Sequence, residues 1–331
     1  MSAVDGLAVV VFLGLVAYAV LGGADFGAGL WDLSRDRRQR ELVARAMTPV
    51  WEANHVWLIF VVITLFTGFP GAFGALSRAL TGPVSVALLG IVLRGAAFVF
   101  RQYGAADPDQ PTGRPVRGTA LWGRVFAISS LVTPFAFGTA SGALAAGTLR
   151  ADGSAGLWRP FLAPLPLVAG LLATTCCAYL AAVYLARDAE RIGSACLVAR
   201  FRRRALATGA LAGGLAPAAL PLLPAELGGE LRGPALPAVL VSAASGVLGL
   251  VLLWHRRYGV ARVAAAGAPA GLLAGWALGV YPWALPGQVP LTEATAPPVI
   301  AGPVLVVLVT GLALVAPCYA YLIRALRALP D

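Results

Sequence analysis

Charge is scarce in this chain, and one kind of charged residue is missing altogether. Of 331 residues only 12% are charged, and there is no lysine, so all 25 basic residues are arginine. The hydrophobic share is 59% and the mean hydropathy is +0.81. A soluble protein could not bury so much apolar surface, and repeated apolar runs of about 20 residues are typical of transmembrane helices. The composition predicts an all-α integral membrane protein.

Several common chemical signatures are also absent. The cysteines Cys176, Cys177, Cys196 and Cys318 form no CxxC pair, so neither a metal site nor a disulfide framework is predicted. No Walker motif, GxGxxG, nucleophile elbow or HExxH is present, which argues against self-contained hydrolytic or nucleotide-driven chemistry. No positively charged start precedes the first apolar run, so we expect no cleaved signal peptide.

Hydropathy and turn signals predict about nine transmembrane spans. The loops between them are short, so residues 1–331 are expected to form a single polytopic membrane domain. Proline and glycine cluster at several span ends, as in Phe69-Pro70-Gly71. The predicted spans are roughly 6–30, 49–68, 79–101, 119–147, 160–186, 204–223, 234–254, 259–282 and 299–326.

The arginines fall almost entirely on one side of this arrangement. Twenty follow the odd-numbered spans. They include runs in the loops after spans one and five, and two arginines in the C-terminal tail. Only Arg78, Arg150, Arg159 and Arg232 follow even-numbered spans, and Arg94 lies inside the third. By the positive-inside rule this predicts an outside N-terminus and a cytoplasmic C-terminus. The net charge of +10 therefore reflects membrane orientation and does not indicate nucleic-acid binding.

Three ionisable residues lie near the cytoplasmic ends of the first two spans. Asp25 precedes the end of span one, and Glu52 and His55 open span two. Asp25 shares a helix face with Asp32, seven residues on, and Glu52 shares one with His55. Intramembrane acids are costly and often functional, and carboxylates partly removed from water can exchange protons near neutral pH. The group is suited to proton uptake, although Asp25 and Glu52 could instead cap helices or pair with arginines.

Arg94 needs a buried anion. It lies about 10 Å from the end of its helix, too deep to reach water easily. Asp25, Glu52, a partner subunit or a bound lipid could supply the negative charge, and a structural salt bridge is the favoured interpretation.

The two histidines allow a different hypothesis. His55 and His255 lie on the same predicted side of the membrane, so together they could ligate a haem. A lone histidine at a membrane edge is more often a hydrogen-bonding residue, and His255 has the setting of an interfacial anchor.

The residues around these acids resemble a known family, subunit II of cytochrome bd-type quinol oxidases. The resemblance rests on the stretches that run from Gly22 to Gly29, from Trp51 to Ile59 and from Leu93 to Arg101. A looser likeness continues in Tyr281-Pro282 and in the stretch from Leu291 to Ala296. The similarity extends over the whole chain, with the most specific motifs in its first 101 residues.

The resemblance implies two four-helix bundles plus one further helix. It implies a heterodimer with a haem-bearing subunit I in the bacterial cytoplasmic membrane, sometimes with a small single-helix accessory protein. The complex would oxidise quinol and reduce O2 to water, with haems b and d in subunit I and none ligated by this chain. Some family members hold a structural quinone, which makes a quinone a candidate cofactor here.

The resemblance also assigns roles to individual residues. Asp25 and Glu52 match its acidic positions, with Glu52 where many members have Asp, and Asn54 and His55 belong to the same motif. We expect these four to contribute to a cytoplasmic proton path. The residues expected to be buried or structural are Arg94, Arg101 and Trp57.

Two departures from the family pattern concern local hydrogen bonding. Val99 replaces an acid common in its motif, and Glu293 stands where an amide or small polar residue is frequent. Two other functions remain open: a proton-coupled secondary transporter, and a non-catalytic assembly subunit whose acids only pair with arginines. A transporter should show midplane polar sites on broken helices, whereas here the ionisable residues cluster near one surface.

Overall fold

The computed structural model describes residues 2–32, 36–47, 51–103 and 119–328, and within them omits the side chains of residues 47, 51–53, 102, 103, 119, 120, 319 and 322–328. In this part of the chain eight helices are long and apolar enough to cross a membrane, and a bent helix pair raises the number to nine. The prediction of an all-α membrane protein with about nine spans is confirmed.

The first span is one long helix interrupted by a wider turn. Helix α1 covers Ala3–Ala17, a π-helical turn covers Tyr18–Gly22, and α2 covers Gly23–Trp31. A π-helical turn changes the i→i−4 pattern of backbone hydrogen bonds, and such turns are frequent at functional sites. Asn54 of the second span donates to the carbonyl oxygen of Leu21 within this turn, at 3.2 Å.

A short basic helix and a sharp bend flank the second span. Helix α3 covers Arg37–Met47 and α4 covers Trp51–Gly68. Helix α5, Pro70–Ala79, leaves α4 at 119°. Pro70 has no N–H and restricts the backbone of Phe69, whose φ of −132° and ψ of 60° lie outside the helical region, so the span ends there.

The next helices complete a first bundle. Helix α6 covers Thr81–Tyr103 and α7 covers Thr119–Ala145. The two pack along their length, while the first span contacts both α4 and α7. The α2 and α7 segments also pack on α8, Pro164–Arg191, which links this bundle to the next.

The second bundle consists of α8 and three later spans. Helix α9 covers Ala195–Ala219, α11 covers Leu236–Trp254 and α12 covers Tyr258–Val280, with the short α10, Ala225–Arg232, between α9 and α11. A hairpin of β1, Trp283–Leu285, and β2, Val289–Pro290, then leads through α13, Leu291–Ala294, to α14, Pro298–Ala328. Because α14 packs against α1 and α4, the expected plan of two bundles plus one helix is confirmed.

The sequence-based start of the sixth span, residue 204, is wrong. Hydropathy predicts a loop for the arginines at 200, 202 and 203 and a span start at 204, yet α9 begins at Ala195 and contains all four. Arg200 binds Asp36 and Gln39, while Arg202 donates to the carbonyl oxygens of Leu253 and Trp254. These arginines can lie within a helix because their hydrogen-bond partners on neighbouring elements are found at the same end of the bundle.

Candidate functional site

A buried ion pair joins the first and third spans. Arg94 of α6 donates through Nη1 to Asp25 Oδ2 at 2.7 Å and through Nη2 to Asp25 Oδ1 at 2.8 Å. Nη2 also donates to the backbone carbonyl oxygen of Asp25 at 3.0 Å. The side chains are 1% and 2% exposed. Burying two charges is costly, and the bidentate geometry with its extra hydrogen bond is what offsets that cost.

Residues of α7 complete the surroundings of Arg94. Arg94 Nε donates to Ser130 Oγ at 2.9 Å, and the Ser130 hydroxyl donates to the carbonyl oxygen of Phe126 at 2.7 Å. The guanidinium carbon also lies 4.9 Å from the centre of the Phe26 ring and 4.8 Å from that of Phe126. The charge is thus held by a carboxylate, a hydroxyl and two aromatic faces.

A second ion pair repeats the first one seven residues further along both helices. Arg101 of α6 hydrogen-bonds to Oδ2 of Asp32, the residue that caps the C-terminal end of α2. The Arg101 guanidinium lies 5.3 Å from the Phe126 ring centre, so this ring contacts both guanidinium groups. Because both pairs are offset by the same number of residues, α2 and α6 run in the same direction, as expected for the first and third spans.

The glycines around Asp25 allow α2 to lie close to its neighbours. A Cβ atom on Gly27 would lie 1.9 Å from the carbonyl oxygen of Cys177 on α8. On Gly29 it would lie 2.1 Å from Ser130 Oγ on α7. Small residues permit such close helix packing in membranes. The glycine-rich sequence therefore brings the Asp25 backbone and Ser130 within reach of Arg94.

The second span brings Asn54, His55 and Trp57 against the first. Asn54 is buried and binds Leu21 in the π-helical turn, one helical turn before Asp25. The half-buried His55 ring lies 6.1 Å from the rings of both Tyr18 and Phe26. Trp57 is buried in the apolar cluster that includes Tyr18 and Phe26. These contacts place Asn54, His55 and Trp57 against the segment of the first span that carries Asp25, while the Glu52 side chain is outside the described residues.

The structure thus assembles most of the predicted group but adds members that the sequence analysis missed. Ser130 and Phe126 of α7 carried no distinguishing signal, since serine and phenylalanine are common in transmembrane helices. The Asp32–Arg101 pair, in contrast, could be recognised from residue spacing in the sequence. Asp25 and Asp32 are seven residues apart, as are Arg94 and Arg101, so two pairs in register could have been predicted from this shared spacing.

The two histidines do not form a common site. His55 belongs to α4, which packs with the first span, α5 and α14, whereas the exposed His255 caps the end of α11 in the second bundle. Their positions do not fit a haem held between them. Within the described ranges, no group of three or more His, Cys, Asp or Glu side chains is placed to hold a metal ion.

Comparison with known proteins places this architecture in one family. The family model described as cytochrome bd terminal oxidase subunit II matches residues 5–326. A bd oxidase from Geobacillus thermodenitrificans has the same fold, with a TM-score of 0.77, 22% sequence identity and 98% of both chains covered.

Curated relatives match over shorter stretches. Cytochrome bd ubiquinol oxidase subunit 2 of Bacillus subtilis is 30% identical over 125 residues, which are 37% of this chain and 34% of that protein. Cytochrome bd-I ubiquinol oxidase subunit 2 of Escherichia coli K12 is 27% identical over 135 residues, 40% of this chain and 33% of that protein. The matched stretches thus span about a third of these relatives. Since the family model covers nearly the whole chain, the protein belongs to the cytochrome bd terminal oxidase subunit II family.

Proposed function

We propose that this protein is subunit II of a bd-type terminal oxidase, a quinol:oxygen oxidoreductase that oxidises quinol and reduces O2 to water. The observation that carries the proposal is the family match over residues 5–326. The chain would act only as part of the complex, because its described residues do not fit a haem held by its two histidines. We place the complex, as a multi-pass assembly, in the bacterial cytoplasmic membrane.

In this proposal the partner is a haem-bearing subunit I, which carries haems b and d. The chain supplies a rigid frame, in which two ion pairs hold the first and third spans in register. A small accessory subunit and a structural quinone belong to the same proposal as further components.

Proton uptake from the cytoplasm is the contribution that we propose for the residues around the second span. Glu52 would receive protons, while Asn54 and His55 orient it or hold a water molecule. Asp25 would serve differently from a carrier, because both of its carboxylate oxygens already accept hydrogen bonds from Arg94. We propose that Asp25 provides a fixed negative charge beside the proton path. This corresponds to the alternative in which Asp25 pairs with an arginine.

Purification of the tagged chain from its native membrane in mild detergent should bring down a haem-rich partner. We expect the eluate to have a reduced-minus-oxidised spectrum with haem bands and to consume O2 when supplied with a ubiquinol or a menaquinol analogue. Activity should disappear when the partner is stripped from the chain. Membranes that lack the tagged chain serve as the control, and a colourless chain without a partner would reject the proposal in favour of the transporter.

Replacing Glu52 by Gln should slow quinol oxidation by the purified complex and leave its haem spectrum largely unchanged. The loss of a positioned proton-transfer group typically costs on the order of 100-fold or more in rate. Glu41→Gln is the matched control, because Glu41 is an exposed acid of α3 that pairs with Arg37. Equal O2-uptake rates for the Glu52→Gln and wild-type complexes would show that Glu52 relays no protons.

A further inference from the structure

Asp25 within α2 and Asp32 at its C-terminal cap both pair with an arginine, but within the described residues their carboxylate oxygens do not all have hydrogen-bond partners. Asp25 accepts hydrogen bonds from Arg94 through both carboxylate oxygens and its backbone carbonyl, and Arg94 Nε donates to Ser130 Oγ. Protonating Asp25 would neutralise its charge and leave the buried Arg94 guanidinium without an anion, so this pair is unsuited to proton exchange.

Asp32 is bound on one side only. Its Oδ2 accepts from Arg101, while Oδ1 is buried and has no hydrogen-bond partner within the described part of the chain. The side chain is only 4% exposed. A buried acceptor without a partner keeps its full desolvation penalty, which is larger when the acceptor is charged. Binding a water molecule or a proton would satisfy Oδ1 in this position.

The location of Asp32 suits exchange with one side of the membrane. It caps the C-terminal end of α2, where the last backbone carbonyl groups carry partial negative charge. Arg101, its partner, is 27% exposed, so the pair lies at the boundary between the buried bundle and the arginine-rich surface. Asp25 lies about 10 Å deeper along the helix.

Neighbouring elements cover this end of α2 without occupying Oδ1. Gln39 of α3 donates to the carbonyl oxygen of Trp31 at 2.5 Å, next to Asp32. The Arg204 guanidinium of α9 lies 4.7 Å from the Trp31 ring centre, and Phe126 of α7 lies against Arg101. Among the described residues, Arg101 binds Asp32 and Arg204 lies against Trp31. The Arg200–Asp36 pair reaches the same helix end through Gln39.

We propose that Asp32 is the proton-accepting carboxylate at the cytoplasmic mouth of the first span. This inference rests on the proposed oxidase function. A proton passes from cytoplasmic water to Oδ1, which forms an O–H bond, while Oδ2 keeps its hydrogen bond to Arg101. The O–H bond breaks when the proton moves on to a water molecule on the path to the partner's haems. Arg101 is the positioning residue that holds the carboxylate in place.

The test uses the purified complex of this chain with its haem-bearing partner, with the variants Asp32→Asn, Asp32→Glu and Asp36→Asn. Asparagine preserves an oxygen for Arg101 but carries no exchangeable carboxyl proton, whereas glutamate restores it. Asp36 is the matched control, because it also pairs with an arginine, Arg200, on the same surface. The Arg200 hydrogen bond lowers the pKa of Asp36, which remains an ionised surface acid near neutral pH.

We expect Asp32→Asn to lower kcat by about 100-fold or more. The KM for quinol and the haem spectrum should stay unchanged, and the solvent deuterium isotope effect on kcat should increase. Asp32→Glu should recover most of the turnover, and Asp36→Asn should behave like the wild type. A wild-type rate for Asp32→Asn, or a rate that falls only in proportion to haem content, would overturn the proposal.

The test remains decisive if Asp32→Asn does not assemble. The redox-induced infrared difference spectrum of the wild-type complex should then contain a protonated-carboxyl band that shifts in the Asp32→Glu complex. If that band is absent or does not shift, Asp32 does not have the proposed role. Failure of the proposed function itself has a different signature, since the wild-type chain would then copurify with no haem-bearing partner.

Discussion

Replacing Arg94 by Met is expected to lower the free energy of unfolding of the chain by about 3–5 kcal/mol. The substitution leaves the Asp25 carboxylate buried without its cation and removes the donors that bind its oxygens and its backbone carbonyl. Removing one partner of a buried pair is costly because the remaining charge keeps its desolvation penalty. The effect can be measured by titrating the purified protein in mixed micelles with SDS.

A second variant separates the loss of the ion pair from the loss of Arg94 packing. Asp25→Asn combined with Arg94→Met removes both charges, so the double variant should recover much of the stability that Arg94→Met loses. Arg37→Met is the matched control, because the Arg37–Glu41 pair is exposed and worth about 0–1 kcal/mol. Equal losses for Arg94→Met and Arg37→Met would contradict a stabilising role for the buried pair.

Much of the fold could be predicted because the bilayer imposes a simple requirement. A helix that crosses the membrane needs about 20 apolar residues, and the arginine distribution then orders the spans. The same physics predicted that Arg94 needs an anion. It could not choose among the candidates, since the choice of Asp25 depends on how far α2 and α6 are rotated about their axes.

The elements that escaped prediction are those in which polar residues find local partners. Arg200 and Arg202 looked like a loop because they break the hydropathy signal, yet both lie in α9 with partners on neighbouring elements. Helix α3 is strongly basic and packs through its buried residues Leu42 and Val43, a pattern that a search for apolar runs does not detect. Hydropathy thus predicts the spans but not the polar and charged helical segments at their ends.

The register of the two ion pairs suggests why the glycine-rich motif surrounds an acid. Asp25 and Asp32 must both meet arginines of α6, although their own helix packs mainly on α7 and α8. The long arginine side chains cross this distance along the face of Phe126. A bulkier α2 would move both carboxylates away from α7 and α8, and therefore out of the geometry that Arg94 and Arg101 require.

Gly27→Ala tests this dependence and should destabilise the chain by about 1–3 kcal/mol or more, since overpacking a rigid contact has costs of this size. The added Cβ would lie 1.9 Å from the carbonyl oxygen of Cys177 and 2.8 Å from Ala181 Cβ, so α2 and α8 would have to separate. The same SDS titration measures the loss, and in the proposed complex the amount of copurifying partner should fall in parallel.

Gly23→Ala provides the control from the same helix face, one turn earlier. Its Cβ would lie 3.4 Å from Cys177 Sγ and 3.5 Å from Leu180 Cδ1, which is ordinary van der Waals contact. Alanine also favours a helix over glycine by up to about 1 kcal/mol, so this variant should be neutral or more stable. If Gly27→Ala were tolerated as well as Gly23→Ala, the α2–α8 contact would not be the feature that holds Asp25 opposite Arg94. The ion pair would then have to be positioned through α7 alone, by Ser130 and Phe126.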